Sequence, residues 1–187
     1  MEEKIKIIAL FGMSCSGKDF LKKTILKEYP DTFHGIVHTT TRPKRDYEIN
    51  RVDYHFLDVE TFAESICNGN IIEAQNFNGW GYGTDIRNLK PKKINIGIFS
   101  PEAIRQILSD DRFDIRPIWV LTPDKVRLQR ALEREENPNC HEICRRFLSD
   151  EKDFDDIDFD FKTVSGTMKN SNDYDFNIIL NLFGQNE

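Results

Sequence analysis

Apolar residues in this chain come in short runs separated by amphipathic stretches, and that alternation sets the first expectations. IKIIALF (5–11) is an almost unbroken apolar run of strand length, as a buried strand requires. From Lys18 the spacing becomes helical, with Leu21, Ile25 and Leu26 on one face and Tyr29-Pro30 as the stop. Three further runs predict core strands: INIGIF (94–99), RPIWVL (116–121) and FNIILN (176–181). Ser100-Pro101 and Thr122-Pro123 follow two of them, each pairing a capping hydroxyl with a proline at the first helical position. Strand then helix, repeated, predicts an α/β protein with a parallel sheet.

Two stretches break the rhythm. Residues 35–88 hold strand-like IVHTTT and YHFL, a short helix VETFAESICNG capped by Asp58 and stopped by Gly69, then IIEAQNF and a glycine-rich turn NGWGYGT. Short strands around one helix predict an inserted lobe. Later, seven acidic residues fall between positions 149 and 162, while Phe147, Phe154, Ile157, Phe161 and Val164 recur at helical spacing, which predicts a helix with an acidic solvated face. The glycine and bidentate glutamate of a calcium loop are missing there.

Composition narrows the class. With 187 residues, 39% hydrophobic and 31% charged, the chain is of a size for one globular domain. A net charge of −6 argues against a nucleic-acid surface, so any bound phosphate must be held by a few local cations. No run is long enough to span a bilayer, the charged N-terminus MEEKIK lacks a signal-peptide core, and four sparse cysteines fit a reducing compartment, so the expected location is cytoplasmic. Cys140 and Cys144 flank His141, but no second ligand pair at zinc spacing accompanies them.

The sharpest chemistry lies between the first strand and the first helix. Gly12-Met13-Ser14-Cys15-Ser16-Gly17-Lys18 has phosphate-loop spacing: glycines turn backbone N–H groups inward and the helix N-terminus adds positive potential. Lys18 then reaches the β- and γ-phosphates. The next position usually carries a Ser or Thr hydroxyl for magnesium, and here it is Asp19, either a stronger magnesium ligand or an acidic residue that favours the first helical turn.

From Thr39 the chain reads TTTRPKRDYEINRVDYHF, and from Ile72 IEAQNFNGWGYGT. With the loop, these segments closely resemble the guanylate kinase family over nearly the whole chain, with LQRALERE, CRRFLSD and YDFNIILN similar to its lid and final strand. The resemblance implies a single P-loop kinase domain over residues 1–187. Its parts are a core (1–34 and 89–187), a monophosphate-binding lobe of mixed β structure (about 35–88) and a helical lid (about 130–150). It implies ATP held by Gly12, Ser14, Cys15, Ser16, Gly17, Lys18 and Asp19, with Mg2+ as cofactor. The acceptor, GMP or dGMP, falls to His38, Arg42, Arg45, Tyr54, Glu73, Tyr82 and Thr84. Lys18, Arg42, Arg134 and Arg146 are the catalytic set, with Arg130 and Arg145 as the substitutes a one-residue shift brings in.

These residue types suit the chemistry. Two polyanions must be brought together, so the acceptor phosphate needs guanidinium clamps and hydroxyl donors, and lid arginines meet charge on the migrating group. A carboxylate at Glu73 can accept the paired N1–H and N2–H of guanine, which adenine lacks. Two departures stand out. His38 replaces a small Ser, and is either a donor to guanine O6 or N7 or a packed imidazole; Gly97 and Phe99 occupy the positions of an Asp-x-Asp pair. Two other readings remain beside the kinase: a ribose 1,5-bisphosphate kinase, whose loops resemble G-K-D, and a non-catalytic guanylate-kinase-like interaction module.

Overall fold

The computed structural model describes residues 3–134, 136–167 and 174–183. Strand β1 (Ile5–Phe11) is the middle of a five-stranded parallel sheet. It pairs with β7 (Ile94–Ile98) on one side and β8 (Phe113–Leu121) on the other, and β2 (Phe33–Gly35) and β9 (Lys162–Ser165) form the edges. The two-residue period of a strand divides β1 between two cores. Ile7, Ala9 and Phe11 pack with Ala103, Ile104 and Ile107 of α3 (Pro101–Leu108); Ile8 and Leu10 pack with Leu21 and Ile25 of α1 (Lys18–Glu28). Cover on both faces is what a continuous apolar run encodes.

The chain between β2 and β7 builds a second, mixed sheet. Its order is β4 (His55–Phe56), β3 (Thr39–Thr40), β6 (Trp80–Asp85), β5 (Ile71–Phe77), with only the β3–β4 pair parallel. Helix α2 (Val59–Cys67) starts where Asp58 accepts the Thr61 N–H at 2.7 Å and buries Phe62. After β8 come α4 (Asp124–Glu133) and α5 (Cys140–Asp153), and after β9 comes α6 (Tyr174–Leu180). Among the described residues no helix is long and apolar enough to cross a membrane.

Four expectations need correction. FNIILN is helical: β9 already fills the sheet edge beside β8, and Ile179 instead buries itself in the core that covers Ile8 and Leu10. A short apolar run cannot by itself distinguish these outcomes. The acidic helix ends at Asp153, because Phe154, Ile157 and Phe159 turn back onto the Phe11 face of the sheet, and the chain then runs extended into β9. The glycine-rich turn is confined to Asn78 and Gly79, both at positive φ, and Trp80–Asp85 is a strand paired with β5. Thr122 caps nothing: its hydroxyl donates to the Ser16 carbonyl at 2.7 Å, and Pro123 stands at the cap of α4.

Candidate active site

The Gly12–Lys18 loop leaves the C-terminal end of β1 and turns into α1. Gly12 (φ 143°) and Gly17 (φ 104°) hold conformations that favour glycine, and a Cβ at either would come within 2.8 Å of a backbone carbonyl oxygen, Val120 and Gly166 respectively. Cys15 adopts φ 60° without that freedom. The Lys18 ammonium donates to the carbonyls of Gly12 (2.6 Å) and Met13 (2.8 Å) and to Ser16 Oγ (3.3 Å). Burial pushes its pKa down to about 8, against the opposing pull of Asp19 and Asp150.

Helices α4 and α5 stand over this loop. Arg130 donates to the carbonyls of Cys15 (3.2 Å) and Gly166 (2.9 Å), while Arg134 lines a cleft with Cys15, Gly17, Asp19 and Phe20. Arg130, the substitute, is thus the arginine bonded to the loop, and Arg134 the one facing open space beside it. On α5, Arg145 and Arg146 both donate to Glu142, at 2.7 and 2.9 Å. Those two bonds hold the Glu142 carboxyl down at about 2.

A cavity of about 440 Å³ opens between the loop, α5 and the second sheet, lined by Ser14, Arg42, Arg45, Tyr82, Arg145 and Arg146 among others. Arg42 is held on three sides. Its guanidinium donates to both oxygens of buried Glu48, at 3.1 and 2.7 Å, and to the Pro43 carbonyl, and it lies 5.6 Å from the ring centres of Tyr54 and Phe56. Glu48 also accepts the Arg45 N–H at 2.8 Å, so one carboxylate shapes the whole arginine turn. The sequence pattern includes this glutamate, and its organising role is visible only here.

Beside it lies a cavity of about 360 Å³ whose walls include His38, Tyr54, Glu73, Gln75, Tyr82 and Phe99. Glu73 is buried, and Thr84 Oγ1 lies 2.8 Å from its Oε1 and 2.9 Å from His38 Nδ1. Burial pushes Glu73 up to about 8 and His38 down to about 3; the Lys22 charge lowers His38 further and the Ile98 backbone opposes. The three groups share protons. With Glu73 ionised, Thr84 donates to Glu73 and accepts from Nδ1–H, which leaves Nε2 an acceptor. With Glu73 protonated the chain can reverse, and Nε2 then carries the hydrogen. Among the described residues Nε2 is buried with no hydrogen-bond partner, as is Thr39 Oγ1.

The departures noted in the sequence form one cluster. Phe99 meets the His38 ring edge-on at 4.9 Å, and a Cβ on Gly97 would lie 2.7 Å from a Phe99 ring atom. An acidic side chain at 97 is therefore incompatible with Phe99 as it sits, and the residues at 97 and 99 work as a unit. His38 is both packed and part of the pocket wall.

For a divalent metal the donors are few. Among the described residues no three His, Cys, Asp or Glu side chains form a metal-sized group, Cys140 and Cys144 included. Exposed Asp19, in the first turn of α1, is one carboxylate on the rim of the loop cleft. That fits magnesium, which keeps several waters and is commonly held by one or two carboxylates plus phosphate oxygens.

Two residues at the loop carry no signal in the sequence. Arg127 of α4 and Asp150 of α5 form a buried ion pair at 2.7 Å that grips Ser14. Arginine and aspartate inside a charged amphipathic stretch read as solvated positions, and nothing in the spacing says otherwise.

Comparison with known proteins shows the family and the fold. The guanylate kinase family model matches residues 4–173. Guanylate kinase of Lactobacillus acidophilus is 28% identical over 182 residues, covering 93% of this chain and 87% of that protein; that of Frankia casuarinae is 29% identical over 164 residues, covering 81% and 86%. Protein PALS1 of Danio rerio is 31% identical over 144 residues, 73% of this chain but 21% of that protein. The crystal structure of guanylate kinase from Anaplasma phagocytophilum shares the fold, with a TM-score of 0.61 at 18% identity over 89% of this chain and 79% of that one. The fold is thus the α/β P-loop kinase fold, and the chain belongs to the guanylate kinase family of nucleoside monophosphate kinases.

Proposed function

We propose that this protein is a guanylate kinase, transferring the γ-phosphoryl group of ATP to GMP or dGMP with magnesium. The observation that carries the reading is the cavity in which Ser14 of the phosphate loop faces Arg42, Arg45, Tyr82 and the α5 arginines. One face suits a triphosphate and the other a monophosphate, with the Glu73 pocket adjoining at Tyr82. We take the cytoplasm as its compartment.

In this reading Lys18 and the loop amides hold the β- and γ-phosphates, and Arg42, Arg45, Tyr54 and Tyr82 fix the acceptor phosphate. An acceptor phosphate oxygen attacks the γ-phosphorus as the bond to the β–γ bridging oxygen breaks, giving ADP and the guanine nucleoside diphosphate. Arg134 and Arg146 meet the charge spread over the migrating group. Asp19 would be the residue that holds magnesium, which when bound would supply charge neutralisation. Glu73 reads the base, its ionised carboxylate accepting guanine N1–H and N2–H together; Thr84 donates to that carboxylate and His38 in turn donates to Thr84, so His38 supports the reader and forms pocket wall in this state. The core, lobe and lid divide the chain at about residues 35, 88 and 130–150.

The test is a coupled ADP-release assay against GMP, dGMP, AMP, CMP, UMP, dTMP and ribose 1,5-bisphosphate. Turnover with GMP or dGMP is expected. Turnover with the sugar bisphosphate alone would transfer the chain to the other kinase class, and ATP-independent thermal stability with no turnover would fit an interaction module.

A further inference from the structure

Ser14 is gripped on both sides of its peptide by the ion pair beneath it. Asp150 accepts its N–H at 2.7 Å and its hydroxyl at 3.1 Å, and Arg127 Nε donates to its carbonyl at 3.0 Å. The two side chains join through Arg127 Nη2 and Asp150 Oδ2 at 2.7 Å, and are 2% and 8% exposed. Asp124 bonds the other guanidinium nitrogen at 2.7 Å, and the Phe147 ring centre lies 4.4 Å from the guanidinium carbon. These contacts come from two different helices and meet on one residue of a third element.

Stability alone is a poor reason for this pair, since apolar residues of similar size often serve as well or better in a buried position. What an apolar pair cannot do is hold the N–H, hydroxyl and carbonyl of one residue together. Ser14 lines both the small cavity under α4 and α5 and the arginine cavity, where the two substrates would meet. Arg146 lies four residues before Asp150, one helical turn along α5, and lines the same two cavities.

We propose that Asp150 and Arg127 are positioning residues for phosphoryl transfer, fixing the Ser14 peptide at the opening of the phosphate loop and, through the same bonds, the register of Arg146 over it. The lid helix is in this way latched to the loop at its base. This rests on the kinase reading for its kinetic consequence, though not for the latch itself.

The deciding experiment compares wild type with the double variant Arg127→Met/Asp150→Leu and with Asp150→Asn. It measures Tm, the kinetics against ATP–magnesium at saturating GMP, and hydrogen exchange of the Ser14 amide by NMR. The double variant is expected to regain a Tm near wild type. Its KM for ATP should rise about tenfold or more, with a smaller change in kcat, because the loop must now be ordered on binding. Its Ser14 amide should exchange faster than in wild type. Asp150→Asn keeps the size and one acceptor and should raise the ATP KM about threefold even if the double variant fails to fold. A wild-type KM and wild-type Ser14 protection in whichever variants fold would make the pair a scaffold only and overturn the proposal. If wild type phosphorylates no nucleotide, the kinase reading falls, and the Ser14 exchange rates still decide whether the latch exists.

Discussion

The two ends of the cleft are built on opposite plans. At the phosphate loop, polar groups are matched by atoms of the chain itself. Lys18 lies on two carbonyls, Thr122 and Arg130 on two more, and Asp150 and Arg127 on Ser14. In the neighbouring pocket, buried polar atoms have few partners among the described residues: Glu73 accepts from Thr84, and His38 Nε2 has no hydrogen-bond partner. Interlocked polar networks hold geometry, whereas a sparsely paired buried group costs stability and gains when a ligand satisfies it. Substitutions at the loop should therefore damage stability and activity together, and those in the pocket should trade one for the other.

The largest effect should come from cutting the loop network at its buried cation. Arg127→Met leaves Asp150 buried and uncompensated, which costs about 3–5 kcal/mol. At about 2–4 °C per kcal/mol for a chain of this size, Tm should fall by roughly 6–20 °C. Thermal melts at pH 7 measure this. A drop no larger than that of an exposed arginine such as Arg145 would mean the network is not what orders the loop.

Lys18→Ala removes the point charge assigned to the β- and γ-phosphates. A loss of about 10²–10³ in kcat is expected, comparable to deleting one preorganised electrostatic contact. Single-turnover assays with GMP at saturating ATP would show it. Retention of the wild-type rate would place the donor nucleotide elsewhere.

These contrasts explain what the sequence made legible. The loop strand, its helix and the α3 cap at Ser100 follow from periodicity and local capping, because each is decided by neighbours close in the chain. The Arg42, Glu73 and Tyr82 segments were recognisable from motif spacing, and the structure brings them to adjoining cavities. What escaped depends on distant partners. Asp150 meets Ser14 across 136 positions, and the aromatic residues after Asp153 leave the helix for contacts with Phe11. The linkage of His38, Gly97 and Phe99 is likewise a fact of packing, since each looks like a separate departure along the chain.

In the pocket, Glu73→Gln should separate function from stability. The amide presents one acceptor where guanine needs two, so GMP affinity should weaken by about 1–3 kcal/mol while ATP affinity stays. Stability should move the other way at high pH. Glu73 has a folded pKa raised to about 8 from 4.5, so its contribution is fully present below 4.5 and is lost as pH rises toward 8. The Gln variant has no such loss, and its Tm should exceed wild type at pH 9 by more than at pH 5. Parallel Tm curves for the two proteins would show that Glu73 is not a buried titrating acid.

The smallest effect asked for is also the one that joins the two ends. In the free enzyme both Lys18 and Glu73 titrate near pH 8, one pushed down to that value and the other up to it. Their working forms lie on opposite sides. Lys18 must be charged to attract phosphate, so kcat/KM for ATP should fall as pH rises above about 8, by at most tenfold per unit, or about 1.4 kcal/mol. Glu73 must be ionised to accept both guanine donors, so kcat/KM for GMP should fall by a similar slope as pH drops below about 8. The two profiles, each taken with the other substrate saturating, should cross near that pH and bend in opposite directions. Profiles that bend the same way would break the contrast, because the loop and the pocket would then answer to one shared group.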